Sequence, residues 1–177
     1  MAISKETILN VVSGVCSGYE IYEHRNQISV ILPKDKIVET AMELRDNPET
    51  SFELLIDLTV IDWLKKKPAR FEVVYMLYSL KNTERLRLKV PISVKDCHCP
   101  SVTSVWEAAN WYEREAYDMY GMKFDGHPDL RRFYMPEDYV DPESGEPIYP
   151  LRKDFPLMGI PDSLPLPPYP EKYGEIV

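Results

Sequence analysis

The sequence predicts an α+β fold: a small mixed sheet with helices mainly on one face, in the order α-β-α-β-β-β-α, followed by a long extended proline-rich C-terminal segment. The predicted strands alternate apolar and polar residues, which suits a sheet whose helices cover only one face. The short connection over residues 81–83 makes two of the strands an antiparallel hairpin. Five of the 16 prolines precede residue 123 and eleven lie between Pro128 and Pro170, so the chain changes character near Gly121.

The first three predicted elements are a helix, a strand and a second helix. Residues 4–12 have helix-forming character, with Ser4 as the N-cap. Residues 27–32 are β-branched and apolar, which is typical of a short strand. Apolar residues then recur at helical spacing over 34–46. This helix ends at Asn47-Pro48, because the residue before a proline is pushed out of the α region.

Three strands and a last helix complete the predicted body. The last helix begins at a capping box formed by Ser104 and Glu107, in which each side chain satisfies a helix amide. Gly121 supplies the left-handed residue at which this helix ends. The three strands are predicted over residues 52–60, 71–80 and 84–90. We therefore divide the chain into an α/β body over residues 1–121 and an extended partner-wrapping segment over 122–177.

Composition excludes several classes of protein. Hydrophobic residues make up 44% of the chain and charged residues 28%, as in ordinary globular proteins. The formal net charge of −8 argues against a nucleic-acid binder, which needs a basic face for phosphates. No apolar run reaches the roughly 20 residues that span a bilayer. Residues 1–14 do not resemble a targeting peptide, and three cysteines are consistent with a reducing compartment.

The candidates for a metal site or a catalytic site are weak. Cys97-His98-Cys99 holds three potential ligands, but adjacent residues of an extended segment point to opposite sides, so we expect ordinary thiols in a loop and no metal. His127 has no serine, threonine or cysteine in the same motif to activate as a nucleophile. The seven glycines match no phosphate-binding spacing. We therefore expect no catalytic residue and no bound cofactor in this chain.

The acidic residues of the last helix have a structural interpretation. Glu113 and Glu115 lie two residues apart, so they face different directions on a helix and cannot form a catalytic dyad. Arg114 precedes Asp118 by one turn. We expect a buried charge network in which Arg114, together with Arg131 or Arg132, pairs with these carboxylates.

The segment after residue 122 combines eleven prolines with many large apolar side chains. A solvated disordered tail would lack such side chains, and a self-folding domain would not consist of proline-interrupted extended segments. Burial of those side chains on the body alone does not offset the cost of ordering so long a segment. We therefore expect the segment to bind a partner. The alternative is a flexible tail whose apolar content is accidental.

The motifs between residues 100 and 157 closely resemble the signature of one family, the C-type or 30-kilodalton class of subunit in proton-pumping NADH:quinone oxidoreductase, respiratory complex I. The resemblance assigns two sets of residues. A signature network comprises Glu113, Arg114, Glu115, Asp118, His127, Arg131 and Arg132. A partner-docking run comprises Leu151, Arg152, Lys153, Asp154, Phe155, Pro156 and Leu157. Residues 140–149 look like an insertion relative to compact members of the family.

The resemblance implies a hydrophilic peripheral-arm subunit without a redox centre. Its partners would be the other complex I subunits, chiefly the large D subunit and the B subunit, which together form the quinone site. FMN and iron–sulfur clusters would lie on other subunits. The chain would belong to an NADH:quinone oxidoreductase, a translocase, and brace the large subunit so that electron transfer and proton pumping stay coupled. We expect it on the cytoplasmic side of the bacterial inner membrane, attached through the complex alone.

Three other functions remain open from the sequence. A homologous subunit of an energy-converting hydrogenase, or of a complex that uses ferredoxin or F420, would have similar motifs. A stand-alone protein-binding module would also explain a partner-dependent tail. A metal- or thiol-dependent hydrolase built on Cys97, Cys99 and His127 ranks last.

Overall fold

The structure, a computed structural model, describes residues 4–142 and 144–156. In this part of the chain the helices are α1 (Lys5–Val15), α2 (Ile37–Asp46) and α3 (Ala109–Tyr120), and a single 3-10 turn (Lys34–Lys36) leads into α2. The strands are β1 (Glu20–His24), β2 (Gln27–Ile31), β3 (Leu54–Asp62), β4 (Phe71–Ser79), β5 (Glu84–Ile92), β6 (His98–Pro100) and β7 (Lys123–Asp125).

The main sheet has five strands in the order β1-β2-β5-β4-β3. All its neighbours are antiparallel except β2 and β5, which are parallel. A second, two-stranded parallel sheet joins β6 to β7. The prediction of an α+β fold with a mixed sheet, including the antiparallel β4–β5 hairpin, is confirmed.

The core lies against one face of the main sheet. Val30, Leu88, Tyr75 and Leu58 stand side by side on four neighbouring strands, and all four are buried. Apolar residues of α1 and α2 belong to the same core. Residues of the opposite face, such as Arg87 and Lys89, remain partly exposed. This arrangement follows from the period-two alternation of β5, because alternate side chains of a strand point to opposite faces.

Strand β1 was not predicted. Every residue of this strand is exposed, so it lacks the buried alternation that marks a strand in a sequence. It forms because Arg25 and Asn26 adopt positive φ angles of 49° and 60° and make a two-residue hairpin turn to β2. The pairing of backbone groups, rather than side-chain burial, holds this edge strand.

The predicted alternation of β3 is wrong at its start. A register irregularity between Leu55 and Asp57 inserts an extra residue opposite β4. Such a bulge changes the face to which the following side chains point. Leu54 and Ile56 are therefore exposed, whereas Leu58 and Val60 point into the core.

The predicted capping box of the last helix is also wrong. Helix α3 begins at Ala109, and Ala108 makes no side-chain capping bond. Ser104 and Glu107 are exposed, and residues 102–106 form a tight turn in which Val105 and Trp106 donate to the Val102 carbonyl. The chain forms this turn instead of the capping box because Trp106 is buried and its indole N–H donates to the Phe52 carbonyl at 3.2 Å. The end of the helix at Gly121, with φ 74°, is confirmed.

Candidate partner-docking site

Residues 122–142 and 144–156, here called the returning segment, come back to the body at the C-terminal end of α3. Gly121 is buried against Tyr149 and Arg152: a Cβ atom at this position would lie 2.5 Å from the Tyr149 ring and 2.6 Å from the Arg152 guanidinium. Because its φ is also positive, only glycine fits here without strain. The glycine therefore both ends the helix and makes room for the returning segment.

The returning segment satisfies the last carbonyl groups of α3. The Leu151 N–H donates to the Met119 carbonyl at 3.2 Å, and Arg152 Nε donates to the Tyr120 carbonyl at 2.7 Å. The last four carbonyls of a helix have no partner within the helix, and a cation there also complements the helix dipole. The Arg152 guanidinium is held between the rings of Tyr149 and Phe71, at 4.3 and 5.3 Å. Residues 149–152 thus act as a cap for α3.

A second attachment joins the segment to the β3–β4 hairpin. Arg70 donates two hydrogen bonds to Asp62, at 3.1 and 2.9 Å, and two to Asp154, at 2.8 and 2.7 Å. The Lys153 N–H donates to Asp62 at 2.9 Å. Burial acts to raise the pKa of Asp62, but Arg70 and the N–H groups of Lys153 and Leu64 outweigh it and hold this pKa below its usual value. Hydrogen bonds from Arg70 also lower the pKa of Asp154.

Asp118 organises the middle of the segment. Its side chain is fully buried, and one oxygen accepts the N–H groups of Phe133, Tyr134 and Met135 at 3.2, 2.8 and 2.9 Å. Successive N–H groups turned to one point form a concave site for an anion. Arg132 contacts the other oxygen at 3.4 Å and donates to the Ile148 carbonyl at 3.1 Å. Asp118 and Arg132 thereby fix residues 132–135 and 148 against α3.

The expected pairing of Arg114 with a carboxylate of α3 is wrong within the described residues, because its guanidinium contacts aromatic rings and carbonyl groups instead. Its Nε and Nη2 donate to the carbonyls of Arg131 and Arg132 at 3.2 and 3.4 Å. Its guanidinium lies 4.9 Å from the Trp111 ring centroid and 5.1 Å from that of Phe133. Trp111, Phe133 and Tyr134 form an aromatic cluster, with centroid distances of 5.7 and 4.1 Å between successive rings. All three rings are exposed, although Arg114 beneath them is buried.

Glu113 occupies a separate polar group. It is fully buried and accepts hydrogen bonds from the Ser101 hydroxyl and the Val102 N–H, both at 2.7 Å. Among the residues that the structure describes, no cationic side chain forms an ion pair with it. Burial raises the pKa of Glu113 to about 7, against the opposing effect of the two hydrogen bonds. The expectation of one charge network is therefore wrong for Glu113, because its two oxygens accept hydrogen bonds from Ser101 and Val102 instead of a cation. Burial without a cation favours the neutral carboxyl.

The remaining residues of the signature lie around these groups. His127 Nδ1 accepts the Asp129 N–H at 3.0 Å, so Nε2 carries the proton that it donates to the Asn110 carbonyl at 3.1 Å. Arg131 is exposed and pairs with Asp129 at 2.9 Å. Glu115 is half-buried. His127 thus holds the 127–129 loop on α3 through Nε2 and shapes the loop itself through Nδ1.

The three residues of the Cys97-His98-Cys99 motif contact different partners. The Cys97 thiol faces the carbonyls of Ser93 and Val94, and His98 Nδ1 lies 2.9 Å from an Asp125 oxygen. Cys99 is buried 3.4 Å from the Tyr75 hydroxyl, and burial raises its pKa to about 12. Over residues 4–142 and 144–156, no group of three or more His, Cys, Asp or Glu residues could hold a metal ion.

The predicted docking run over residues 151–157 lies only partly within the described residues. Arg152, Lys153 and Asp154 contact the body, and the Phe155 N–H donates to the Arg152 carbonyl. The side chains of Leu151 and Pro156 are exposed, and Leu157 lies outside the described residues. Docking of this run on a partner stays a prediction. Sequence reasoning missed Asp62 and Arg70, which no local pattern marks.

None of the helices in residues 4–156 is both long enough and apolar enough to cross a membrane.

The site holds residues 122–156 on the body and leaves the aromatic cluster exposed. Its chemistry is that of packing, caps and ion pairs. Such a site suits an interaction surface better than a reaction centre.

Comparison with known proteins relates the chain to one group. The family model described as "Respiratory-chain NADH dehydrogenase, 30 Kd subunit" matches residues 30–161. The C-type subunit of NADH-quinone oxidoreductase from Geotalea uraniireducens is 45% identical over 146 residues, which cover 82% of each chain. The fused C/D-type subunit of NADH-quinone oxidoreductase from a Sulfurihydrogenibium species is 43% identical over 147 residues, which cover 82% of this chain and 24% of that protein.

Two solved structures share the fold. A structure described as the trypsin-resistant fragment (1–134) of Nqo5 has a TM-score of 0.61 and 34% identity, and the match covers 71% of this chain and 98% of the fragment. A chain of the membrane-bound sulfane sulfur reductase, an archaeal respiratory membrane complex, has a TM-score of 0.65 and 27% identity, with 86% of both chains covered.

Proposed function

The chain belongs to the family of the respiratory-chain NADH dehydrogenase 30 Kd subunit, and from this premise we propose that it is a peripheral-arm subunit that braces the large, D-type subunit of a membrane-bound NADH:quinone oxidoreductase. The family match carries the proposal, because it includes α3 and the attachments of the returning segment. Relatives are subunits of NADH-quinone oxidoreductase. This chain therefore serves an oxidoreductase complex rather than an isolated reaction.

The fused relative supports a D-type subunit as the neighbour. In that protein the region similar to this chain forms about a quarter of a longer chain, whose name combines the C and D types. A fusion keeps the two parts permanently close, which is tolerated most easily when they already lie side by side. By the same proposal, the B-type subunit lies next to the large subunit and completes the quinone site.

Two features of the site support a bracing role. The returning segment is attached to the body at α3 and at Arg70, so the positions of residues 152–154 are fixed on the body. The exposed aromatic cluster is stiffened by Arg114 beneath it. Rigid, exposed aromatic rings are typical of protein interfaces. A subunit of this kind would hold its neighbour in the geometry that couples electron transfer to proton translocation.

The proposal extends to cofactors and location. FMN and iron–sulfur clusters would lie on other subunits of the complex. The chain would sit in the peripheral arm on the cytoplasmic side of the bacterial inner membrane and touch the membrane only through the complex. Electrons would not pass through this chain.

Affinity purification from the native host tests the proposal. A tagged full-length chain should recover a large D-type subunit together with iron–sulfur subunits from membranes solubilised in mild detergent. Membranes with the untagged chain serve as the control. Recovery of the tagged chain alone, from membranes in which the oxidoreductase remains intact in native gels, would overturn it and favour a stand-alone binding module.

A second candidate comes from the archaeal neighbour. The sulfane sulfur reductase complex contains a chain of the same fold, so this fold is found in respiratory membrane complexes of more than one kind. A hydrogenase-type, ferredoxin-dependent or F420-dependent complex is the corresponding alternative here. Assaying the purified complex with NADH, with reduced ferredoxin and with reduced F420 separates the candidates. Reduction of quinone by NADH supports the first proposal, and activity restricted to another donor supports the second.

A further inference from the structure

An open cleft of about 620 Å³ lies beside the first turns of α3. One wall is the turn that precedes the helix, and the other is the loop held by His127. Its volume is in the range of sites that take a ligand or a short peptide segment. The lining residues are Thr103, Ser104, Glu107, Asn110, Trp111, Gly126 and Pro128.

Trp111 provides the apolar wall of this cleft. Its side chain is 60% exposed, although it contacts Phe133 and the buried guanidinium of Arg114. A large indole held in place by such neighbours loses little conformational freedom when a partner covers it. Tryptophan is also the aromatic residue whose face attracts cations best.

The one charged side chain that lines the cleft is negative, and the cationic Arg114 guanidinium lies 4.9 Å from the Trp111 ring without lining the cleft. Glu107 is exposed and is the one ionisable residue among those that line it; the lining otherwise consists of hydroxyl, amide and apolar groups. A carboxylate next to an indole is suited to an arginine or lysine side chain, because the carboxylate pairs with the cation and the ring packs on its stem or guanidinium. The net charge of −8 acts in the same direction over a longer range.

Hydrogen bonds of His127 hold the second wall of the cleft. His127 Nε2 donates to the Asn110 carbonyl and so holds the loop on α3, and His127 Nδ1 accepts the Asp129 N–H within the loop. Gly126 has a φ of 85° at the start of the loop. A loop that is held by such bonds requires little ordering when a partner binds.

We infer that this cleft receives a basic side chain, arginine or lysine, carried on a short surface segment of the large partner subunit. Trp111 packs against that side chain, Glu107 pairs with its charge, and Asn110 offers hydrogen bonds to the segment. This inference rests on the proposed function for the identity of the partner. The chemistry of the cleft itself does not depend on it.

Titration of the full-length chain with a small probe tests the chemistry. We would add N-acetyl-arginine N-methylamide to ¹⁵N-labelled protein and follow the indole N–H signal of Trp111, with the isosteric but neutral citrulline compound as the control. The arginine probe should shift the Trp111 and Asn110 signals with millimolar affinity, and the citrulline probe should not. Equal shifts by the two probes, or none, would overturn the inference.

Matched variants make the test specific to the cleft. Glu107→Gln should weaken the arginine probe about fivefold, the most that an exposed ion pair contributes. Glu137→Gln removes an exposed carboxylate outside the cleft and should leave the affinity unchanged. An unchanged affinity in Glu107→Gln would contradict the assigned role of Glu107. Because Glu107 is exposed, loss of folding is not expected to obscure the result.

Assembly separates failure of this inference from failure of the proposed function. Glu107→Lys should lower recovery of the large subunit in the affinity purification about tenfold or more, whereas Glu137→Lys should not. If both variants assemble as the wild type does, the cleft is not the contact, and the proposed function stands. If the wild-type chain itself recovers no partner, the proposed function fails, whatever the probe shows.

Discussion

At the scale of single residues, Asp118 and Glu113 show how two buried carboxyls on one helix come to differ. Asp118 accepts three backbone N–H groups and contacts Arg132, so its charge is well compensated. Glu113 has two hydrogen bonds and no ion pair within the described residues. The helix places them on faces that meet different segments. The sequence analysis named Arg132 among the expected partners, and Arg132 does pair with Asp118, but the pairing expected for Glu113 is not found among the described residues.

Replacing Asp118 by asparagine tests the first arrangement. Asp118→Asn leaves the nearly buried Arg132 without its counter-charge and weakens the site for the three N–H groups. We expect the free energy of unfolding to fall by about 3 kcal/mol, as for other broken buried pairs. Urea denaturation measures it. The control Asp129→Asn breaks the exposed pair with Arg131 and should change stability little; equal effects of the two variants would contradict the account.

Replacing Glu113 by glutamine tests the second arrangement, in which a buried carboxyl has no cationic partner among the described residues. The folded-state pKa of about 7 lies above the ordinary value of 4.5, so the folded chain binds a proton that the unfolded chain releases. The resulting stabilisation is complete below about pH 4.5 and is lost as the pH rises to 7, by about 3 kcal/mol. Glu113→Gln should remove this pH dependence, because the amide stays neutral.

The measurement is the unfolding free energy of both chains between about pH 4.5 and pH 8. Glu107→Gln, which changes an exposed carboxyl near the start of the same helix, is the control and should keep the wild-type slope. A wild-type stability that stays level or rises with pH relative to Glu113→Gln would show that burial does not keep the Glu113 carboxyl neutral.

At the scale of elements, helix α3 is completed by a segment that follows it by about thirty residues. Its start lacks a side-chain cap, and its last carbonyls are satisfied by Leu151 and Arg152. Local capping rules predicted the end at Gly121 and failed at the start. They failed there because burial of Trp106, together with the Val102 hydrogen bond to Glu113, favours a tight turn over the capping box.

The attachment of the returning segment to the β3–β4 hairpin depends on Arg70. Arg70→Met removes both bidentate contacts and leaves the buried Asp62 without a cation. Residues 149–156 should then open more easily, so that their backbone amides exchange at least about tenfold faster, which corresponds to about 1.4 kcal/mol. Hydrogen exchange of the full-length chain measures this.

Lys66→Met serves as the matched control, because Lys66 is an exposed cation of the same hairpin. It should leave exchange at residues 149–156 unchanged. If the backbone amides of residues 149–156 exchange at the same rate in the Arg70→Met and Lys66→Met chains, the ion pairs of Arg70 do not hold the segment. The cap on α3 is then its main attachment.

At the scale of the whole molecule, the predicted boundary at residue 121 stays a prediction, but the packing indicates where to cut. Met122 and Phe124 are buried in the core, and β7 pairs with β6. A chain ending at Gly121 would lose these contacts and those of Asp118. A chain ending at Pro156 keeps every contact described above and removes only residues 157–177.

Truncation after Pro156 should therefore leave the melting temperature nearly unchanged and lower recovery with the large subunit at least about tenfold, a loss of about 1.4 kcal/mol in binding. The reason is that residues 157–177 carry further leucine, proline and tyrosine residues suited to a partner surface. Affinity purification measures it. A chain with a glycine–serine segment of equal length in place of 157–177 controls for length; assembly of the truncated chain at the wild-type level would refute the anchoring role of the tail.

The sequence by itself determined the α+β class, the hairpin of β4 and β5, the end of α3 and the family signature. These depend on periodicity, glycine and short motifs, which act over a few neighbouring residues. Only the tertiary structure decided that Arg70 meets Asp154, which lies 84 residues further along the chain, and that Asp118 rather than Glu113 has a cationic partner. The physical reason is that the sequence around a charged residue has no periodic pattern that identifies its partner. Which carboxylate a cation contacts depends on how the packed elements bring distant segments together.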